Sequence, residues 1–193
     1  SAMAVETVRE IVSENNGVRK EESLMVLVEA YKEASKRIFF RAENEQEDLA
    51  GMGTTMVGFW MRNGVMYIAN VGASRLYMWR PEGLWQLTED HSLINDQIRA
   101  GVISEEEAPH VVGRNVITRS VGFEREVQVD TLERVVQPGE VYVLCSDGLS
   151  GLITDQQIAD LCKKKKKSAV VTEGISMAKK AGGDDNISAI VVE

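Results

Sequence analysis

The sequence predicts an α+β fold in which helices pack on antiparallel sheets, and three observations carry that reading. Residues 1–40 and later stretches repeat apolar side chains at helical spacing. Residues 53–87 are instead rich in Thr, Val, Ile, Tyr, Phe and Trp and are cut by tight-turn residues. Successive strands there are joined by turns too short for a crossover, which implies antiparallel pairing. The chain has 193 residues, 44% of them hydrophobic, so residues 1–193 are expected to form a single domain with a substantial core.

In the first helix Val5, Val8, Ile11 and Val12 share a face, and Gly17 follows Asn15-Asn16 as a stop. A second stripe of Leu24, Leu27, Val28, Tyr31, Ile38 and Phe39 runs among Glu, Lys and Arg, so both helices are amphipathic and must cover something apolar. Residues 54–61 and 65–71 read as strands on either side of Arg62-Asn63-Gly64, and Asn-Gly is a strong hairpin signal. Residues 75–80 make a third strand, and Pro81-Glu82-Gly83 turns the chain into a fourth at 84–87. A helix at 93–100 is closed by Gly101, and Ser104 with Glu107 has capping-box spacing. Strands resume at 127–136 and 141–145, joined by Pro138-Gly139. Thr154 and Gln157 open a helix that continues through Ile158, Leu161 and Cys162. Val171, Ile175 and Ala178 mark another, ended by Gly182-Gly183, and residues 187–192 form the closing strand.

Composition removes several function classes. Lys plus Arg is 22 against 30 for Asp plus Glu, a formal charge of −8 that does not suit nucleic-acid binding. Two cysteines make no disulfide scaffold, which points to a reducing cytoplasm. No run approaches the roughly 20 apolar residues of a membrane span. Ser1-Ala2 before Met3 reads as a cloning scar, with no signal peptide after it.

Two segments carry chemistry. Val141-Tyr142-Val143-Leu144-Cys145 is an almost wholly apolar strand, expected to be buried on both faces, and it delivers Asp147 and Gly148 at its end. Gly182-Gly183 is followed by Asp184-Asp185-Asn186 and then an apolar strand. If the two strands are antiparallel neighbours, Asp147 and Asp185 converge at one rim. Converging carboxylates repel unless a cation or proton lies between them, and oxygen-only ligands favour Mg²⁺ or Mn²⁺ over zinc. Such an ion lowers the pKa of bound water and polarises a phosphoryl oxygen. The same residues also fit plainer roles: Ser146-Asp147-Gly148 is a turn signature, and Asp184 fits a solvated strand entry.

Other chemistry-bearing residues have weaker claims. Cys145 reads as a buried inert thiol and Cys162 as core, with no arginine-bearing loop of a cysteine-dependent phosphatase. His91 and His110 read as surface or turn residues, with proton transfer as the alternative role. The five lysines at 163–167 suit a solvated helix end, or attraction of acidic partners. Trp60, Trp79 and Trp85 fall in strands and read as packing residues.

Taken in order, six segments resemble the metal-dependent protein phosphatases of type 2C, in the compact bacterial branch. They are Gly51-Met52-Gly53-Thr54-Thr55, Ala69-Asn70-Val71-Gly72-Ala73-Ser74-Arg75, Leu87-Thr88-Glu89-Asp90-His91-Ser92, Ile117-Thr118-Arg119-Ser120-Val121-Gly122, Cys145-Ser146-Asp147-Gly148-Leu149 and Gly182-Gly183-Asp184-Asp185-Asn186. The resemblance implies two antiparallel sheets packed as a sandwich with helix pairs outside, a four-layer α/β/β/α arrangement. It implies a binuclear Mg²⁺/Mn²⁺ site and direct attack of water on phosphoserine or phosphothreonine. By position, Asp147 and Asp185 would be the catalytic metal ligands, with Gly148 and Asn186 shaping the site, and residues 94–115 would form a variable flap.

The sequence departs from that family in two places. The family's opening strands, with an Arg-x-x-Asn-Glu/Gln-Asp motif and an Asp-Gly-Met-Gly-Gly motif, have no counterpart, so the domain is expected to be N-terminally incomplete. The family's Gly-Asp-Ser-Arg is Gly72-Ala73-Ser74-Arg75, which removes one further carboxylate. Two divalent cations would set about +4 against −2 from Asp147 and Asp185, so tight binuclear binding and full activity are not expected. The expected function is a serine/threonine phosphoprotein phosphatase, weak or inactive as this chain alone. The alternative is a non-catalytic module that binds phosphorylated proteins or a serine/threonine kinase. Exposed strand edges further suggest a dimer.

Overall fold

The computed structural model describes residues 1–44, 51–108, 111, 116–183 and 185–193. In chain order its elements are α1 (Ala2–Glu14), α2 (Ser23–Asn44), β1 (Met56–Arg62), β2 (Val65–Val71), β3 (Arg75–Arg80), β4 (Gly83–Gln86), α3 (Leu93–Arg99), β5 (Asp130–Val135), β6 (Val141–Cys145), α4 (Asp147–Ser150), α5 (Asp155–Cys162), α6 (Ala169–Lys180) and β7 (Ala189–Val192), with one 3₁₀ turn at Lys20–Glu22. The class is α+β with two antiparallel sheets, as the sequence implies. The chain divides into two compact units, Ser1–Ala73 with Asp90–Arg134, and Ser74–Glu89 with Val135–Glu193.

The first unit holds α1, α2 and the sheet β1-β2-β5. β1 and β2 pair from Met56 with Val71 to Arg62 with Val65. Between them Asn63 and Gly64 both take left-handed backbone angles, φ 49° and 77°, the geometry an Asn-Gly hairpin turn needs. α2 lies against this sheet: the Tyr31 hydroxyl donates to the Ala69 carbonyl at 3.1 Å, and Leu27, Ala34 and Ile38 join Tyr67, Ala69 and Val71 in one core. α1 is rotated relative to the face its valines suggest. Val5 is exposed, while Ala4 and Thr7 are buried and Met3, Val8 and Val12 pack on the core. Ala4 joins the core that Leu27, Tyr31, Ala34 and Ile38 of α2 line, with Val8 and Val12 packed beside it, so the inward face includes a small residue that hydrophobicity alone does not single out. Arg62 ties down the α1–α2 connection, donating to Val18 O at 2.7 Å and Ser23 Oγ at 3.0 Å while its guanidinium lies 4.7 Å from the Trp60 ring centre.

The second unit holds the sheet β4-β3-β6-β7 with α4, α5 and α6. Tyr77, Trp79, Val141, Val143 and Cys145 form one side of its core, and Leu149, Ile158, Leu161, Val170 and Ala178 from the helices form the other. Thr154 and Gln157 cap α5 reciprocally, at 3.2 and 2.8 Å, as their spacing predicts. In α6 the buried residues are Ala169, Val170, Gly174 and Ala178, so of the stripe read from the sequence Ala178 is buried while Val171 and Ile175 are only partly so. A buried carboxylate that the sequence reading missed lies beside β6. Glu140 accepts from Arg80 Nε at 2.9 Å and Gln137 N at 3.0 Å, and also from the Tyr142 hydroxyl. The strands at 127–136 and 187–192 are shorter than expected, at Asp130–Val135 and Ala189–Val192.

Candidate metal and phosphate site

β6 is apolar because it is central, paired antiparallel to β3 on one side and β7 on the other, and all five of its residues are buried. Its last residue, Cys145, stands opposite Ala189, the first of β7. The pairing then continues beyond the strands through Ser146. Ser146 N donates to Ser188 O, Ser188 N donates to Ser146 Oγ, and Ser146 Oγ donates to Asn186 O, each at 3.0 Å. This lattice presses the segment after β6 onto the segment before β7. A Cβ added to Gly148 would overlap the Asn186 carbonyl oxygen and stand 3.5 Å from the Asp185 Cβ. Glycine is therefore required at 148 by close approach.

The structure thus places Asp147, Gly148, Asp185 and Asn186 on one rim of the sheet. In place of the turn that Ser146-Asp147-Gly148 also suggested, Asp147 opens the short helix α4. Both aspartates are exposed, and each accepts from the next amide on Oδ1, Asp147 from Gly148 N at 3.0 Å and Asp185 from Asn186 N at 2.6 Å. Asp184 lies outside the described residues. By donor type the pair fits one hard divalent cation whose remaining positions are filled by water. Among the described residues no group of three or more His, Cys, Asp or Glu side chains comes together.

Arg75, the first residue of β3, pairs with Cys145 in main-chain register. Its Nη1 donates to the Tyr77 hydroxyl at 2.8 Å, and that hydroxyl donates to Asp155 Oδ1 at 3.0 Å. Tyr77 is fully buried, and burial pushes its phenol above the ordinary tyrosine range against the opposing pull of Arg75, so it stays a neutral donor. Sequence reasoning missed this chain, although an Arg two residues before a Tyr on one strand face was a usable signal.

A family model for protein phosphatase 2C matches residues 1–191. The chain belongs to the protein phosphatase 2C family. It is 37% identical over 195 residues to the serine/threonine phosphatase stp of Listeria welshimeri, covering 100% of this chain and 77% of that one. The crystal structure of the Mycobacterium tuberculosis serine/threonine phosphatase PstP/Ppp superposes with a TM-score of 0.88 at 28% identity, over 98% of this chain and 80% of that one. The catalytic domain of a PstP in complex with two manganese ions superposes with a TM-score of 0.84 at 27% identity, over 99% and 80% of the respective chains.

Other residues of this 2C-family chain have structural roles. His91 is buried rather than at the surface, which corrects the sequence reading. Its Nδ1 accepts from Gly72 N at 2.9 Å, which leaves the ring hydrogen on Nε2, facing Asp130 Oδ2 at 3.0 Å. The reason is the turn at Gly72, whose amide needs a buried acceptor. Arg119 Nη1 donates to Asp130 Oδ1 at 2.6 Å. Burial alone would raise the Asp130 carboxyl, but the hydrogen bonds from His91 and Arg119 outweigh it and leave the group below the ordinary carboxylate range. His110 lies outside the described residues. Ala73 is buried in the Gly72-Ala73-Ser74-Arg75 segment. Both cysteines are free and buried, and burial pushes the Cys162 thiol up to about 11 despite nearby Lys167. The lysine run is mostly solvated, except that Lys167 Nζ donates to Cys162 O at 2.6 Å and lies 4.7 Å from the Trp79 ring centre. Trp85 is 43% exposed, so among the three tryptophans it is the one outside the core.

Proposed function

We propose that this chain is a serine/threonine phosphoprotein phosphatase domain that hydrolyses phosphoserine and phosphothreonine with Mg²⁺ or Mn²⁺ held by Asp147 and Asp185. Residues 1–193 act as one domain, a reading supported by a family match that runs through both units. The observation that carries the site is the close approach of Gly148 to Asp185-Asn186, which brings two carboxylate-bearing segments to one rim. The names of the relatives support the substrate class, and the manganese-bound PstP supports the metal.

When bound, a divalent cation neutralises phosphoryl oxygens and activates water. Asp147 and Asp185 bind it, because two carboxylates at one rim repel until a cation lies between them. The Asp147 and Asp185 bonds to their neighbouring amides hold each carboxylate in one orientation. Gly148 lets the two segments close, and the main chain at Asn186 braces Ser146. Two carboxylates retain one cation and leave a second poorly held, so this chain turns over slowly. Assay of a small phosphate monoester with Mn²⁺ tests the proposal. Slow turnover abolished by Asp147→Ala or Asp185→Ala is expected. Turnover at ordinary enzyme rates would overturn the claim of weak activity, and turnover indifferent to both variants would overturn the site.

A second reading, favoured by Ala73 standing where the resemblance implies a carboxylate, is a non-catalytic module that binds phosphorylated proteins or a serine/threonine kinase. Phosphopeptide binding with no turnover at saturating Mn²⁺ supports it. Buried, free cysteines support a cytoplasmic setting. The edge strands β1 and β7, the latter with Ile190 60% exposed, support association of two copies, which sedimentation tests.

A further inference from the structure

We infer that the loop of five lysines at 163–167, between α5 and α6, is a docking site for an acidic peptide segment of a protein partner, with Lys165 and Lys166 as its contact residues. The inference does not depend on the phosphatase reading. The run holds five of the chain's 22 basic residues, and with its +5 set aside the net charge of −8 becomes −13. Like charges at this density repel one another. Three of the five lysines have a role in the fold. Lys163 Nζ donates to Asp160 Oδ1 at 2.7 Å, and Lys164 Nζ pairs with Glu173. Lys167 Nζ donates to Cys162 O at 2.6 Å and to Lys164 O at 3.2 Å, and lies 4.7 Å from the Trp79 ring centre. It thereby satisfies carbonyls at and just beyond the C-terminus of α5 and rests on a core tryptophan.

Lys165 and Lys166 do nothing of this kind. Both are exposed, and neither ammonium group has a hydrogen bond or ion pair among the described residues. The backbone that carries them is nonetheless held: Lys163 N donates to Ala159 O, Lys164 N to Leu161 O, Ala169 N to Lys166 O and Val170 N to Lys167 O, at 3.0–3.2 Å. The two free charges thus sit on a fixed loop, which lowers the ordering cost of binding. Trp79, beneath Lys167, stands opposite Val141, whereas Asp147 follows Cys145 at the other end of the same strand pair. Cys145 faces Arg75, four residues along β3 from Trp79 or roughly 13 Å. The loop is therefore removed from the candidate cation site, and its partner need not carry phosphate. Carboxylates complement it by charge. A membrane presents a whole plane of negative charge, which the acidic remainder of the chain opposes, whereas a peptide engages the loop alone.

The test is fluorescence anisotropy of a labelled oligopeptide of Asp and Glu, free of phosphate, titrated with the full chain. Salt is held at about 0.1 M, where charges are screened beyond about 10 Å. The unaltered chain should bind, and Lys165→Ala combined with Lys166→Ala should weaken binding roughly fivefold or more through two lost ion pairs. Lys179→Ala combined with Lys180→Ala removes the same charge at the far end of α6, a helix of 12 residues and about 18 Å, and should change affinity less than about twofold. Melting checks that each variant stays folded. In the unaltered chain the peptide should slow acetylation of Lys165 and Lys166 by an N-hydroxysuccinimide ester, read by mass spectrometry, and leave Lys180 unaffected. No binding by the unaltered chain, equal losses in the two double variants, or unchanged acetylation overturns the inference. Binding through Lys165 and Lys166 to phosphatidylserine vesicles but not to the peptide also overturns it, in favour of a membrane. Peptide binding at this loop with no monoester turnover supports the inference and counts against the phosphatase reading alone.

Discussion

Gly148→Ala is the smallest change that strikes the proposed site. The new Cβ would overlap the Asn186 carbonyl oxygen and stand 3.0 Å from its carbon, both main-chain atoms with no rotamer to move. Bringing the Asn186 carbon to ~3.5 Å takes roughly 0.5 Å, and the closer carbonyl oxygen must recede further than that. Strain of this kind in a packed region costs about 1–3 kcal/mol. For a chain of this size each kcal/mol lowers Tm by about 2–4 °C, so a fall of roughly 4–8 °C is expected for the middle of that range. The displacement also moves Asp185 away from Asp147, so Mn²⁺ affinity should fall together with stability. Melting followed by circular dichroism, paired with Mn²⁺ titration calorimetry, reads both effects. A variant with unchanged Tm and unchanged Mn²⁺ affinity would refute the close approach on which the site depends.

Three further outcomes follow from particular contacts. Glu140→Ala leaves Tyr142 and Gln137 without their buried acceptor, and thermal melts should show a loss of about 2–3 kcal/mol. Asp130 has a folded pKa below its unfolded value of about 3.9, so its contribution is present above that value and is lost as pH falls through the lower, folded one. Asp130→Asn should therefore lower Tm near neutral pH and flatten the decline of Tm with acid below about pH 4, read from melts between pH 2 and 7. With its thiol at about 11 and both cysteines buried, the native chain should resist a thiol-reactive disulfide reagent at pH 8 and react at Cys145 and Cys162 only after unfolding, which absorbance follows directly.

Much of the fold was legible because its signals are local. Asn63-Gly64 fixes its hairpin through two left-handed residues, and Thr154 with Gln157 opens α5 through two hydrogen bonds, each within a few residues. Helix faces were less legible: in α1 and α6 small residues, Ala4 and Gly174, are among those turned inward, where hydrophobicity alone points to the neighbouring valines. The placement of Asp147 beside Asp185 was readable as an alternation of apolar strand and acidic turn, given antiparallel neighbours, and β6 and β7 are such neighbours. The roles of His91, Glu140 and Arg75 depend on partners far along the chain, Asp130, Arg80 and Asp155 among them. The spacing of Arg75 and Tyr77 hints at their own contact, but nothing in these segments announces the distant partners.

Calorimetric titration of the unaltered chain with Mn²⁺, repeated on Asp147→Asn and Asp185→Asn, probes the shared cation pocket itself. One cation should bind per chain, with either substitution weakening it by tenfold or more, because each removes half of the anionic charge that holds it. Affinity unchanged in both variants, or two tightly bound cations per chain, would contradict a pocket built from these two carboxylates.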